Sequence, residues 1–99
     1  MTNEFDPFTG FQWDVGNIDK NLLKHQVRNW ECEQIFFNAP LIILDDPKHP
    51  LSEKRWAAFG QTGAGRFLSI IFTKRGKLLR IISARDIYSK ERKVYEKNG

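Results

Sequence analysis

The side chains in this 99-residue chain with the most capacity for chemistry are a scattered set of Arg, Lys, His, Glu and Tyr. Arg80-Ile81-Ile82-Ser83-Ala84-Arg85 is the densest signal. It is apolar enough to lie inside a sheet, yet it carries one fixed charge in its interior and another at its exit. Arginine is rarely buried without a partner, and its guanidinium forks onto carboxylates or phosphates. The segment after it carries Glu91, Arg92 and Tyr95, and earlier in the chain stand Lys24-His25 and Glu53-x-Arg55. Metal-free RNA cleavage needs such a set. A base takes the 2′-hydroxyl proton, cations hold the phosphorane, and an acid protonates the leaving oxygen. Glu53, His25 and Tyr95 are the proton-transfer candidates; Arg55, Arg80, Arg85 and Arg92 are the phosphate candidates.

Each of these residues also has a purely structural role open to it. An imidazolium at His25 would satisfy the end carbonyls of a helix, Lys24 beside it would simply be solvated, and Glu53 would salt-bridge Arg55 on one strand face. Tyr95 belongs with Ile87 and Val94 in a core. Trp13, Trp30 and Trp56 read as core anchors, with base stacking the alternative for Trp56. Arg80 shares a strand face with Leu78 and Ile82, so it must point into a cleft or at a carboxylate. Arg85 has the opposite parity in a regular strand. The two arginines serve one site only if the strand twists or bulges near Ala84.

The elements that position these residues follow from periodicity and turn signals. Residues 1–10 form a flexible lead-in, punctuated by Pro7 and Gly10, to a single domain over 11–97. Phe11-Gln12-Trp13 alternates like a short edge strand. Asp14 is placed to cap a helix through about Val27 whose buried stripe is Val15, Ile18 and Leu22. Asn29 caps a second helix, from Trp30 to Asn38, stopped by Pro40. Trp30, Gln34 and Phe37 share one side of it, and Cys32, Ile35 and Phe36 another. Strands follow at Leu41–Leu44, Arg55–Gly60, Arg66–Thr73 and Leu78–Ala84. A proline-containing polar loop (45–53), a Gly-rich turn (61–65) and a tight turn with Gly76 at positive φ connect them. Asp86 or Ser89 caps a last helix to about Lys97. The order β-α-α-β-β-β-β-α predicts an α+β fold, a small antiparallel sheet with helices mainly on one face.

Composition narrows the classes. The content is 40% hydrophobic and 28% charged, with eight Phe, three Trp and two Tyr, which suits one folded domain. Net charge is +4 and the pI near 9.4. Asp and Glu outnumber Lys and Arg up to residue 53, and the reverse holds strongly from residue 54. That asymmetry points to an anionic partner, nucleic acid first, bound by the second half. The lone Cys32 forms no intramolecular disulfide or zinc cluster, and His25 and His49 lack companions at ligand spacing. No metal site, cofactor or membrane partner is expected, and the absence of an apolar span or leader pattern points to the cytoplasm.

One family shares these motifs. Phe11-x-Trp13-Asp14, Asn21-x-x-Lys24-His25-x-Val27, Asp46-x-x-His49-x-x-x-Glu53-x-Arg55, Gly60, and Arg80 to Arg85 with Glu91 and Tyr95 resemble the BrnT-type toxins of bacterial type II toxin–antitoxin systems. The resemblance spans residues 11–96. It implies a fold related to the RelE-like ribonucleases and a ribonuclease activity that arrests translation and growth. A BrnA-type antitoxin would neutralise it in a heterotetramer built on an antitoxin dimer, with DNA contacted only through the antitoxin. Under this reading Arg80, Arg85, Glu53 and His25 are catalytic, and Lys24, Arg55, Arg92 and Tyr95 touch RNA. An RNA- or antitoxin-binding module without catalysis is the alternative. Two positions depart from the family pattern. Val15 and Asn17 stand where Pro and Lys are common, removing one phosphate-binding cation. Gln26 replaces a common Gly after Lys-His, and Gln resists the left-handed helix cap that Gly accepts.

Overall fold

Alternation along the longest strands sets the layout. The computed structural model describes residues 8–46 and 53–98. Along the chain it has β1 (Gly10–Phe11), α1 (Lys20–His25), α2 (Asn29–Ile35), β2 (Ile42–Asp46), β3 (Arg55–Gln61), β4 (Phe67–Arg75), β5 (Leu78–Asp86) and α3 (Ser89–Asn98). Residues 1–7 of the expected lead-in, and His49 with the rest of 47–52, lie outside the described residues.

The five strands lie in the order β1-β5-β4-β3-β2. β2 to β5 form the expected antiparallel meander, but β1 pairs with β5 in parallel, so the sheet is mixed. The chain leaves β1 through a turn and two helices before re-entering the sheet at its far edge, and that crossover lets β1 and β5 run the same way.

On one face Trp56 and Ala58 of β3, Leu68, Ile70 and Phe72 of β4, and Leu79, Ile81 and Ala84 of β5 pack under Val27, Cys32, Ile35 and Phe36. Cys32, Ile35 and Phe36 are thus the buried side of the second helix, while Trp30 is 54% exposed and is no core anchor. Burial pushes the Cys32 thiol up to about 12, which makes it an inert apolar filler. The helices are not gathered on one face. α3 covers the opposite face, where the Tyr95 ring meets Phe67 edge-on at 5.6 Å and the Arg92 guanidinium lies 3.5 Å from the Phe67 ring centre. Apolar Phe59 and Phe67 on that face need a cover, and the last helix supplies it.

The first helix differs from the periodicity reading. Asp14 does begin a turn, since its side chain accepts the Gly16 N–H (2.9 Å) and its carbonyl accepts those of Asn17 (3.0 Å) and Ile18 (2.7 Å). Asp19, at φ 60°, then breaks the chain before α1. The expected stripe faces outward, with Val15 and Ile18 exposed, and the buried side is Asn17 and Asn21. β1 covers only Leu78 and Leu79 of β5, which leaves backbone groups further along that edge unpaired. Asn17 Nδ2 donates to the Ile81 carbonyl (3.0 Å) and Asn21 Oδ1 accepts the Ala84 N–H (2.9 Å). These two amides stand in for a missing strand, and that need outweighs burial of the aliphatic stripe.

Candidate functional site

The face that carries α3 also carries the charges. Residues paired across antiparallel strands share a face, so the pairs Arg55–Thr73, Thr73–Arg80 and Ser69–Arg85 put Arg55, Arg80 and Arg85 on one side. A regular β5 would have sent Arg85 to the other side. The register slips here: Ile71 pairs with Ser83 but Phe72 pairs with Ile81, leaving Ile82 as the extra residue of a β-bulge. The bulge reverses the parity between Arg80 and Arg85.

Near the β4–β5 turn this face opens into a pocket of about 220 Å³, lined by Lys20, Glu53, Arg55, Arg75 and Arg80 among others. Four cations and one carboxylate therefore converge on a space sized for a phosphate group rather than a whole drug-sized ligand. Each cation comes from a different element. Arg80 is clamped by Asp14 through two bonds, NH1 to Oδ2 (2.8 Å) and NH2 to Oδ1 (3.0 Å). Glycine at position 16 permits the clamp, since a Cβ there would lie 2.9 Å from Arg80 NH2. Arg75 holds Glu53 in the same way, NH2 to Oε1 (2.7 Å) and Nε to Oε2 (3.1 Å). The Lys20 ammonium donates to the Ile82 carbonyl at 3.2 Å, on the bulge itself. The Arg55 Nε is buried and has no hydrogen-bond partner among the described residues.

The electrostatics follow from these contacts. The Arg75 guanidinium holds the Glu53 carboxyl below its ordinary 4.5, helped by Arg55 and Arg80 nearby. The Arg80 guanidinium does the same for Asp14. Both are carboxylates at neutral pH; Arg75 holds Glu53 at the pocket and Asp14 fixes the orientation of Arg80. At the other end of the face, Arg85 forms a two-bond pair with Glu91 (2.8 Å each), and Glu91 falls below 4.5 chiefly through that hydrogen bond.

Glu53, Arg55 and Arg80 are thus brought together, with Arg85 and Arg92 further along the same face. His25 is elsewhere, near Asp86 at the far end of β5, and Lys24 is exposed in the last turn of α1. The end carbonyls of α1 are satisfied by Arg66, not by an imidazolium. Its guanidinium donates to the His25 (3.3 Å) and Gln26 (2.8 Å) carbonyls and pairs with Asp86 and Glu31. Tyr95 is 4% exposed and donates its hydroxyl to the Pro40 carbonyl at 2.8 Å, so it is a core residue with no face for RNA. Trp56 is buried against Phe72, which removes the base-stacking alternative.

The family model described as "Ribonuclease toxin, BrnT, of type II toxin-antitoxin system" matches residues 13–91, most of the chain. The chain belongs to the BrnT family. It is a ribonuclease toxin of the type II class, whose partner is a protein antitoxin. Comparison with curated proteins found no match. The matched span of this BrnT chain includes every charged pocket residue and the Arg85–Glu91 pair, and it stops short of Arg92 and Tyr95.

Two pocket cations escaped the sequence reading, and both had a signal. Arg75 looked like part of a turn. With β4 continued by two residues, period two puts it on the face of Thr73, beside Arg80. Lys20 lies about one turn past Asn17 in the helix expected from Asp14 to Val27, although Asp19 interrupts that helix in the structure. Position 17 is occupied by a buried amide, and Lys20 supplies a cation to the same pocket. Among the described residues no helix is long and apolar enough to cross a membrane, and no three His, Cys, Asp or Glu side chains gather as a metal site.

Proposed function

We propose that this BrnT chain is an endoribonuclease that cleaves RNA through attack of the 2′-hydroxyl on its own phosphodiester, with no metal ion in the reaction. The observation that carries this reading is the pocket in which Lys20, Arg55, Arg75 and Arg80 surround Glu53. The scissile phosphate enters against Arg80 and the unpartnered side of Arg55, with Lys20 on the bulge beside it. Glu53 accepts the 2′-hydroxyl proton, the 2′-oxygen bonds to phosphorus, and the bond to the 5′-oxygen breaks. That oxygen leaves with a proton, and Lys20 is the pocket cation able to give one, since arginine does not deprotonate in proteins. The guanidinium groups stabilise the charge that builds on the equatorial oxygens. A 2′,3′-cyclic phosphate and a 5′-hydroxyl are the products.

Arg85 serves in this reading as a cation further along the RNA. His25 and Lys24 are assigned no part in the pocket, given their place at the end of α1. RNA loss in the cell would inhibit translation and growth. The partner is proposed to be a BrnA-type antitoxin that masks the basic face with an acidic or helical segment, in a heterotetramer whose DNA contacts belong to the antitoxin. A relation to the RelE-like ribonucleases comes with the same resemblance.

A second reading has one observation in its favour. Arg80 and Arg75 already hold carboxylates, as expected of a binding module whose charges serve structure. Purified protein incubated with ribosome-free RNA, with and without chelator, decides between them. Products ending in a cyclic phosphate, formed equally with chelator present, support the enzyme. Tight binding without products supports the module.

A further inference from the structure

Tyr88 is an exposed aromatic residue, on the charged face, that neither the core nor the pocket accounts for. It sits between β5 and α3 with 61% of its surface exposed. The Arg85 guanidinium lies 3.7 Å from the ring centre and backs one side of it. Arg85 is itself immobilised, by both oxygens of Glu91 (2.8 Å each) and by the Asp86 carbonyl (3.2 Å). Glu91 Oε1 also accepts the Tyr88 backbone N–H at 2.9 Å. The ring is therefore fixed from behind and from its backbone, and open in front. A solvated tyrosine needs none of this. A stacking platform does, because prior immobilisation removes the ordering cost of binding a flat ligand.

Position narrows the ligand. The bulge at Ile82 puts Arg85 on the face that holds the pocket, and their β4 partners Ser69 and Thr73 are four residues apart, roughly 14 Å. A groove of about 370 Å³ next to Tyr88 is lined by Arg92 and Lys93 with Ile87, Ser89 and Glu96. A single strand with its phosphate in the pocket would have Tyr88 within reach along this face. An exposed ring beside backbone-tracking cations is how single-stranded nucleic acid is held without base-edge readout.

We propose that Tyr88 is a nucleobase-stacking residue that seats one base of the RNA substrate a short distance along the strand from the pocket, with Arg85 and Glu91 as its positioning residues. The inference rests on the reading that the pocket holds an RNA phosphate, and its test does not require cleavage.

The probe is a fully 2′-O-methylated oligoribonucleotide carrying 2-aminopurine at successive positions, titrated into the full chain and followed by anisotropy and fluorescence. Wild type and Tyr88→Phe are expected to quench the probe at one position with affinities within twofold of each other. Tyr88→Ala and Tyr88→Leu should abolish the quenching and weaken binding by about 5- to 150-fold, the range for one stacked base. Leucine keeps bulk over Arg85 without an aromatic face, so retention of quenching by Tyr88→Leu overturns the proposal in favour of a packing role. Unchanged affinity and quenching in Tyr88→Ala overturns it even if the protein cleaves RNA. Position-specific quenching lost in Tyr88→Ala supports it even if no RNA is cut, in which case the ribonuclease reading alone falls. A Tyr88→Ala defect confined to binding of a protein antitoxin also overturns it.

Discussion

Arg80 and Arg85 point to the same face of the sheet although five positions separate them on one strand, because Ile82 is an additional residue opposite the Ile71–Phe72 step. The two arginines end in different surroundings. Arg80 is the more buried of the two but pairs with the half-exposed Asp14, whereas Arg85 pairs with the mostly buried Glu91 and lies against the Tyr88 ring.

Arg80→Ala and Arg85→Ala should therefore fail in different ways. Loss of Arg80 is expected to reduce RNA cleavage by about 10²- to 10³-fold, as for removal of one transition-state donor. Stability should change by no more than about 0.5 kcal/mol, since its partner is open to water. Loss of Arg85 strands a largely buried carboxylate and should cost roughly 1–2 kcal/mol, read as a fall in Tm of several degrees. Parallel cleavage assays and thermal melts separate the two; equal melting temperatures would contradict the enclosed pair.

Glu53→Gln keeps the size of the side chain and removes the proton acceptor. Cleavage should drop by about 10²- to 10⁴-fold with RNA affinity nearly unchanged. Because the folded carboxyl lies below 4.5, the acid limb of the wild-type rate profile should fall below that value too. A rate that instead declines well above that value would show that Glu53 is not the proton acceptor.

Acid should loosen the fold in a defined window. Asp14, Glu53, Asp86 and Glu91 all have folded values below their ordinary 3.8 or 4.5. Stability from a depressed carboxyl is fully present above its unfolded value and disappears as pH falls through the folded one. Urea unfolding should accordingly show no contribution from these groups to pH dependence above about pH 5.5, and a decline below about pH 4.5. Glu91→Gln should flatten that decline most, because Asp14, Glu53 and Asp86 are more exposed and better screened.

Gln26→Gly should stabilise the protein. Contrary to the expectation that glutamine would resist it, Gln26 takes the left-handed cap at φ 58°, and its N–H bonds to the Leu22 carbonyl at 3.1 Å. Arg66 holds the Gln26 carbonyl, a contact that glycine retains. Relief of the side-chain clash is worth about 1 kcal/mol after the greater freedom of unfolded glycine is deducted. The expected gain in Tm is about 4–8 °C; a lower Tm would show that the Gln26 side chain has a role of its own.

Asn21→Ala should be the most damaging of these changes to folding. The amide is 1% exposed and its oxygen is the partner of the Ala84 N–H. Leaving that donor buried and unmet costs about 1–3 kcal/mol, measurable as a lower urea midpoint. Cleavage per folded molecule should be nearly unchanged, since Asn21 does not line the pocket.

Much of this layout was legible where period and turn chemistry agree. The Gly76 turn, at φ 62°, and the alternation of β3 and β4 were read directly. Leu68, Ile70 and Phe72 are buried as that alternation requires. Parity required a twist or bulge near Ala84 if Arg80 and Arg85 were to share a face, and the bulge lies two residues earlier, at Ile82. Val15 and Ile18 misled because amphipathic spacing cannot tell when an open strand edge needs amides more than a core needs methyl groups. Arg75 was lost at a boundary misjudged by two residues. Arg66 was unforeseen because its four partners come from distant parts of the chain.

The Asp14–Arg80 clamp also says when this molecule becomes dangerous to the cell that makes it. Its two halves are 66 positions apart, and Glu53 and Arg75 join only once the meander has closed. A nascent chain still holding β5 inside the ribosome has no complete pocket, and late closure of distant contacts is slow. Under the proposed reading of the pocket as the RNA site, synthesis of this toxin carries a built-in delay, ended when the last third of the chain emerges, and an antitoxin already present would meet the pocket as it forms.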